Sequence, residues 1–134
     1  MLRSAAKRAM IVGTGVDIVE VGRVAAAIDR FGERFVKRIF TAAEIGYCDS
    51  KANRAERYAA RFAAKEAGLK AIGTGWRGGV AWQDVEVRRE PGGRPTLVFL
   101  GRAGEFAASL GVKRTLLSLS HTAELAIAQV ILED

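Results

Sequence analysis

The sequence predicts an α+β fold: an antiparallel β-sheet packed against one long helix and several shorter ones. Three observations carry this. A β-branched run near the start (Ile11, Val12, Val16, Ile18, Val19) reads as a strand, and residues 53–72 form an alanine-rich stretch with a helical apolar stripe. From Asp84 onward, short alternating segments are separated by turn signals.

Taken in order, residues 10–21 form the first strand, with Gly13 and Gly15 marking a bulge or a close backbone approach. Residues 21–40 are helical, because Val24, Ile28, Phe31, Phe35 and Ile39 recur at three or four; Gly32 is the expected break. The opposite face carries Arg23, Arg30, Arg34, Lys37 and Arg38 against Asp29 and Glu33. Thr41 and Glu44 have capping-box spacing and start a short helix. Asn53 and Glu56 open the longest helix, which runs to Ile72 and stops at Gly73-Thr74-Gly75. Residues 84–88 alternate as a half-exposed strand, Pro91-Gly92-Gly93-Arg94 turns the chain, and residues 95–100 return as a hairpin. A short helix over 101–110 precedes two closing strands, 115–121 and 124–132. Residues 1–9 read as a disordered extension and residues 10–134 as one domain.

The chain has 134 residues and a net charge of +6, which favours an acidic partner without choosing among nucleic acid, anionic membrane, polyphosphate and acidic protein. Cys48 is the only cysteine, so no intrachain disulfide forms, and the lone His121 excludes a multi-histidine zinc site. No apolar stretch approaches the ~20 residues of a membrane span, and the opening lacks the apolar core of a signal peptide. The expectation is a soluble cytoplasmic protein.

The residues that carry chemistry lie in separate segments. Asp17 puts a carboxylate into a strand of valines and isoleucines, where an unpaired charge is costly; it either caps the following helix or faces a ligand. On the long helix Glu66 and Lys70 share a face at i,i+4, as do Arg61 and Lys65. These are either a solvated charged surface or, if Asp17 and Glu66 converge, hard oxygen ligands for magnesium with cations ready for a pyrophosphate. His121, followed by Thr122, is a further candidate.

In order along the chain, Gly13-Thr14-Gly15-Val16-Asp17-Ile18 with Arg23, Arg61-Phe62-Ala63-Ala64-Lys65-Glu66-Ala67 with Lys70 and Gly73-Thr74-Gly75, and Ser118-Leu119-Ser120-His121-Thr122 resemble the motifs of the holo-[acyl-carrier-protein] synthases. Gly93-Arg94-Pro95 matches a smaller hairpin feature. The resemblance implies a phosphopantetheinyl transferase, moving phosphopantetheine from coenzyme A to a serine of apo-acyl carrier protein and releasing adenosine 3′,5′-bisphosphate. It further implies Asp17 and Glu66 as Mg2+ ligands, and Lys70, or a water held by Glu66, as the aid to serine deprotonation. Arg61 and Lys65 would then contact coenzyme A phosphates, with Gly73, Gly75, Pro95, His121 and Thr122 along the nucleotide. The family's small members resemble homotrimers with interfacial sites. With acidic acyl carrier protein as partner, Arg23, Arg30 and Arg34 become the expected dock. The alternative from another class is a basic nucleic-acid-binding α+β domain. It is disfavoured because the basic residues sit on helices and the phenylalanines fall at core spacing.

Overall fold

The computed structural model describes residues 8–75 and 77–134. The expected extension therefore lies largely outside the described residues; Arg8 and Ala9 are exposed and lead into the first strand.

Strand β1 (Ile11–Glu20) is followed by α1 (Val21–Phe31), α2 (Glu33–Ile39), α3 (Ala42–Asp49) and the long α4 (Arg54–Ile72). A 3₁₀ turn, Trp82–Asp84, then leads into β2 (Val85–Arg89) and β3 (Pro95–Phe99), and α5 (Gly101–Ser109), β4 (Arg114–His121) and β5 (Leu125–Glu133) complete the chain. The predicted break between α1 and α2 falls at Gly32, whose φ of 58° is a left-handed conformation that costs glycine little. The Thr41–Glu44 capping box forms: the Thr41 hydroxyl accepts from the Glu44 amide, and the Glu44 carboxylate accepts from the Thr41 amide at 2.8 Å. The Asn53 side chain makes no capping bond and instead accepts from Arg57 Nε at 3.2 Å.

The strands form an antiparallel sheet of order β1-β5-β4 and a separate β2-β3 hairpin. The hairpin meets β4 through Thr115, whose hydroxyl donates to the Leu97 carbonyl at 2.6 Å. Helix α4 lies across the inner face of the large sheet, where it buries Ala64, Ala67 and Ala71 with Ala128, Val130 and Leu132. On its other flank it buries Tyr58, Ala59 and Ala60 with Val24, Ile39 and Phe40. Its alanines are small enough to let helix and sheet approach closely. β2 departs from expectation: Val85, Glu86 and Val87 are all buried, because the hairpin is covered by α4 on one side and approached by α3 on the other.

Alternation along β1 decides which residues meet α4. Gly13, Gly15, Asp17 and Val19 point inward, while Thr14, Val16, Ile18 and Glu20 point out. The glycines serve the helix: a Cβ on Gly15 would lie 2.0 Å from the Ala67 carbonyl oxygen, and one on Gly13 would lie 2.2 Å from that of Ala71. The strand backbone thus sits directly against α4, and a register irregularity falls between Ile11 and Gly13.

Candidate active site

Close packing of β1 on α4 brings Asp17 under the last turns of the helix. Lys70 Nζ donates to Asp17 Oδ1 at 3.0 Å and to the Val16 carbonyl at 3.1 Å, tying helix to strand. Glu66, one turn earlier on the same helix face, lines with Asp17 a cavity of about 450 Å³. Its walls come from the end of β1, from Arg23, Val24 and Ala27 of α1, and from Phe35 and Phe62. Burial, reinforced by the nearby negative charge of Asp17, raises the Glu66 carboxyl above its ordinary value, and Lys70 offsets part of this. Asp17 and Glu66 line this hollow together with Glu20, which pairs with Arg23, while Lys70 pairs with Asp17.

That donor set suits magnesium, which takes one or two carboxylates and keeps its remaining positions for water and phosphate oxygens. Among the described residues, no cluster of three or more potential ligands forms a closed protein cage. The hollow offers hard oxygens and open room, so the residues fit the ion.

The second cationic pair on α4 faces elsewhere. At about 100° per residue, Arg61 lies roughly 140° around the helix from Glu66. Lys65 is fully buried: its Nζ bonds Glu44 Oε1 at 2.7 Å and donates to the carbonyls of Val85 at 2.6 Å and Trp82 at 3.3 Å. Burial lowers its pKa, with Glu44 pulling the other way. The expectation that Lys65 contacts a coenzyme A phosphate is thereby corrected, because its ammonium is enclosed among protein oxygens. Arg61 is also buried and stacks at 4.0 Å over Tyr47, in a hollow that shares no lining residue with the Asp17 cavity.

The remaining candidates are dispersed within the chain. Gly73, with φ 77°, caps α4 just beyond Lys70, and Gly75 has φ 55°. Pro95 opens β3 and lines a small cleft with Thr115 and Ser118 between the hairpin and β4. His121 ends β4, two strands from β1, with Nδ1 at 2.9 Å from Glu56 Oε1. Thr122 closes the β4–β5 turn, its hydroxyl accepting from the Glu124 and Leu125 amides.

Of the expected docking arginines, Arg23 lines the Asp17 cavity and pairs with Glu20 at 3.4 Å, both side chains largely exposed. Arg30 and Arg34 are exposed, and Arg34 borders a groove of about 430 Å³ with Phe31, Phe35 and Arg38. Sequence reasoning placed Phe31 in the core. It is 54% exposed, because the break at Gly32 ends α1 before its last turn can be covered. The signal was available: an apolar residue directly before a helix-breaking glycine, between Arg30 and Arg34.

A long helix laid on an antiparallel sheet, with carboxylates from each lining one cavity beside a basic helix, defines an α+β protein whose candidate site could hold a metal ion and a phosphate ester. Comparison with known proteins agrees. The model of the 4′-phosphopantetheinyl transferase superfamily matches residues 13–130, and the chain belongs to that family. It is 66% identical over 125 residues to the holo-[acyl-carrier-protein] synthase of Koribacter versatilis (strain Ellin345), covering 93% of this chain and 100% of that protein. It is 60% identical over 125 residues to the corresponding protein of Solibacter usitatus (strain Ellin6076), covering 93% of this chain and 100% of that one. Among solved structures, the fold matches the holo-[acyl-carrier-protein] synthase of Neisseria meningitidis at a TM-score of 0.84 and 33% identity, covering 93% of this chain and 100% of that one. It also matches the Helicobacter pylori enzyme in complex with coenzyme A, at a TM-score of 0.77 and 28% identity, covering 89% and 98% of the two chains.

Proposed function

We propose that the chain is a holo-[acyl-carrier-protein] synthase, transferring phosphopantetheine from coenzyme A to a serine hydroxyl of apo-acyl carrier protein with release of adenosine 3′,5′-bisphosphate. The observation that carries this is that Asp17 and Glu66 line one cavity together with Arg23 of the basic α1, while Lys70 pairs with Asp17 at 3.0 Å.

Asp17 and Glu66 would hold Mg2+, which when bound neutralises the pyrophosphate and orients it for displacement. Lys70 commits protons to Asp17 and to the Val16 carbonyl. It therefore works as a fixed positive charge, steadying Asp17 and attracting phosphate oxygens. Glu66, directly or through a water, is left to receive the serine proton as the serine oxygen bonds phosphorus and the pyrophosphate P–O bond breaks. Arg23, at the rim of the cavity, links this chemistry to the dock on Arg30 and Arg34, where an acidic carrier protein would be steered by charge.

A homotrimer is supported by the outer face of the large sheet. Val16, Ile18, Leu116, Leu125 and Ile127 are exposed there, and the register aligns Ile18 with Ile127 across neighbouring strands. An apolar face of this kind fits burial against other copies. Packing between copies would also bring His121, Thr122 and Pro95 of one protomer toward the Asp17 cavity of the next. From its proposed substrates, coenzyme A and an acyl carrier protein, we infer a cytoplasmic enzyme; no helix among the described residues is long and apolar enough to cross a membrane.

Incubation with coenzyme A, magnesium and apo-acyl carrier protein, followed by mass spectrometry of the carrier, tests the activity. The carrier should gain one phosphopantetheine; no gain, with a known transferase succeeding in parallel, would overturn the assignment. Sedimentation of the wild type and of Ile18→Asp tests the assembly, with trimer expected for the first and monomer for the second.

A further inference from the structure

Helix α2 stands between the candidate site and the basic surface beside it. Its Phe35 lines the Asp17–Glu66 cavity, and the same residue, with Phe31, Arg34 and Arg38, lines the neighbouring groove. The placement of this one helix therefore shapes both.

Little within α2 fixes that placement. It spans seven residues, about 10 Å at the α-helical rise, too short to hold its own direction. It enters from Gly32, which has no side chain to cap it. Its Lys37–Glu33 pair, at 3.4 Å, is exposed on both sides and contributes little. Val36 and Ile39 bury its inner face, and the Val36 carbonyl accepts from the Phe40 amide. The carbonyls after Val36 have no donor within the helix.

That end is held from outside by Gln83. Its Nε2 donates to the Lys37 carbonyl at 2.5 Å and to the Phe40 carbonyl at 3.0 Å. Both partners are acceptors, so the amide nitrogen is the end that faces them. The 3₁₀ turn carrying Gln83 is itself anchored. The Trp82 carbonyl accepts from the buried Lys65 of α4 at 3.3 Å, and the Trp82 ring lies 5.0 Å from that of Phe62, which also lines the Asp17 cavity. Asp84 closes the turn by accepting from the Ala81 amide at 3.0 Å. Gln83 thus ties the end of α2 to the helix that carries Glu66, without itself lining the cavity.

We propose that Gln83 is a positioning residue for carrier recognition, holding α2, and with it Arg34, Phe35 and Arg38, in the orientation that an acidic carrier protein meets. This rests on the transfer reaction and carrier proposed above.

The test is Gln83→Leu, which keeps much of the side-chain bulk at an exposed position and removes the donor. In steady-state kinetics the KM for the carrier should rise about fivefold, the worth of one such hydrogen bond, with kcat and the KM for coenzyme A unchanged. In an Arg34→Ala background the same substitution should have a smaller effect on the carrier KM, because both act through α2. Independently of turnover, hydrogen exchange at the amides of residues 36–40 should quicken about fivefold, while that of α4 stays as it was. Absence of transfer by the wild type would overturn the proposed function and this role with it. Transfer by the wild type with an unaltered carrier KM in Gln83→Leu, effects that multiply fully with Arg34→Ala, or unaltered exchange in α2 would overturn the role of Gln83 alone.

Discussion

Replacing Lys65 with methionine isolates the ion pair that the structure found where a substrate contact was expected. The ammonium is enclosed by Glu44, Val85 and Trp82 oxygens, and both charged side chains are fully buried. Methionine keeps most of the volume but strands the Glu44 carboxylate, which retains only its bonds from the Thr41 and Val87 amides. Breaking a buried pair on one side costs about 3–5 kcal/mol. With a urea slope of roughly 2 kcal/mol/M, the unfolding midpoint should fall by about 1.5–2.5 M. The double variant Lys65→Met/Glu44→Gln removes the stranded charge and should recover at least about 1 kcal/mol of that loss, a coupling typical of direct partners. Equilibrium urea unfolding of the two single variants and the double variant measures this. A Lys65→Met loss under about 1 kcal/mol, or strict additivity in the double variant, would refute the reasoning. A stable Lys65→Met protein with a greatly raised KM for coenzyme A would return the residue to substrate binding.

Further outcomes follow from the site. Gly15→Ala forces β1 away from the Ala67 carbonyl, 2.0 Å from where the new Cβ would sit; activity should drop by about a hundredfold, the usual penalty of a misplaced reacting group, and unchanged kcat would contradict the packing account. Because burial and Asp17 hold the Glu66 carboxyl above its ordinary value, protons would compete with the proposed Mg2+ at a higher pH than for a free carboxylate. Magnesium affinity measured by calorimetry should thus weaken as pH falls through that raised value, and Asp17→Asn should move the onset to lower pH. Arg34→Glu should raise the KM for the carrier and flatten its salt dependence without altering coenzyme A binding, as checked by steady-state kinetics at two ionic strengths. The buried Cys48 thiol, pushed up to about 12 by burial, should resist alkylation at pH 8 in the native protein and react readily once unfolded.

Much of this protein is determined by local sequence chemistry. The β-branched run sets β1, the Thr41–Glu44 spacing sets the start of α3, and Gly32 and Gly73 end helices at left-handed positions that other residues disfavour. Asp17, Glu66 and Lys70 were identifiable as a group because a carboxylate in an apolar strand and an i,i+4 pair on a helix each ask for a partner. What the tertiary structure decided is the direction each side chain faces. Arg61 and Lys65 share a motif with Glu66, yet Lys65, one residue before it, turns into the core against Glu44, and Arg61, roughly 140° around the helix, faces Tyr47. Helical periodicity reveals which residues share a face but not which neighbour that face meets. The neighbour depends on long-range packing: α3 and β2 close over one side of α4, while Gly13 and Gly15 admit β1 to the other.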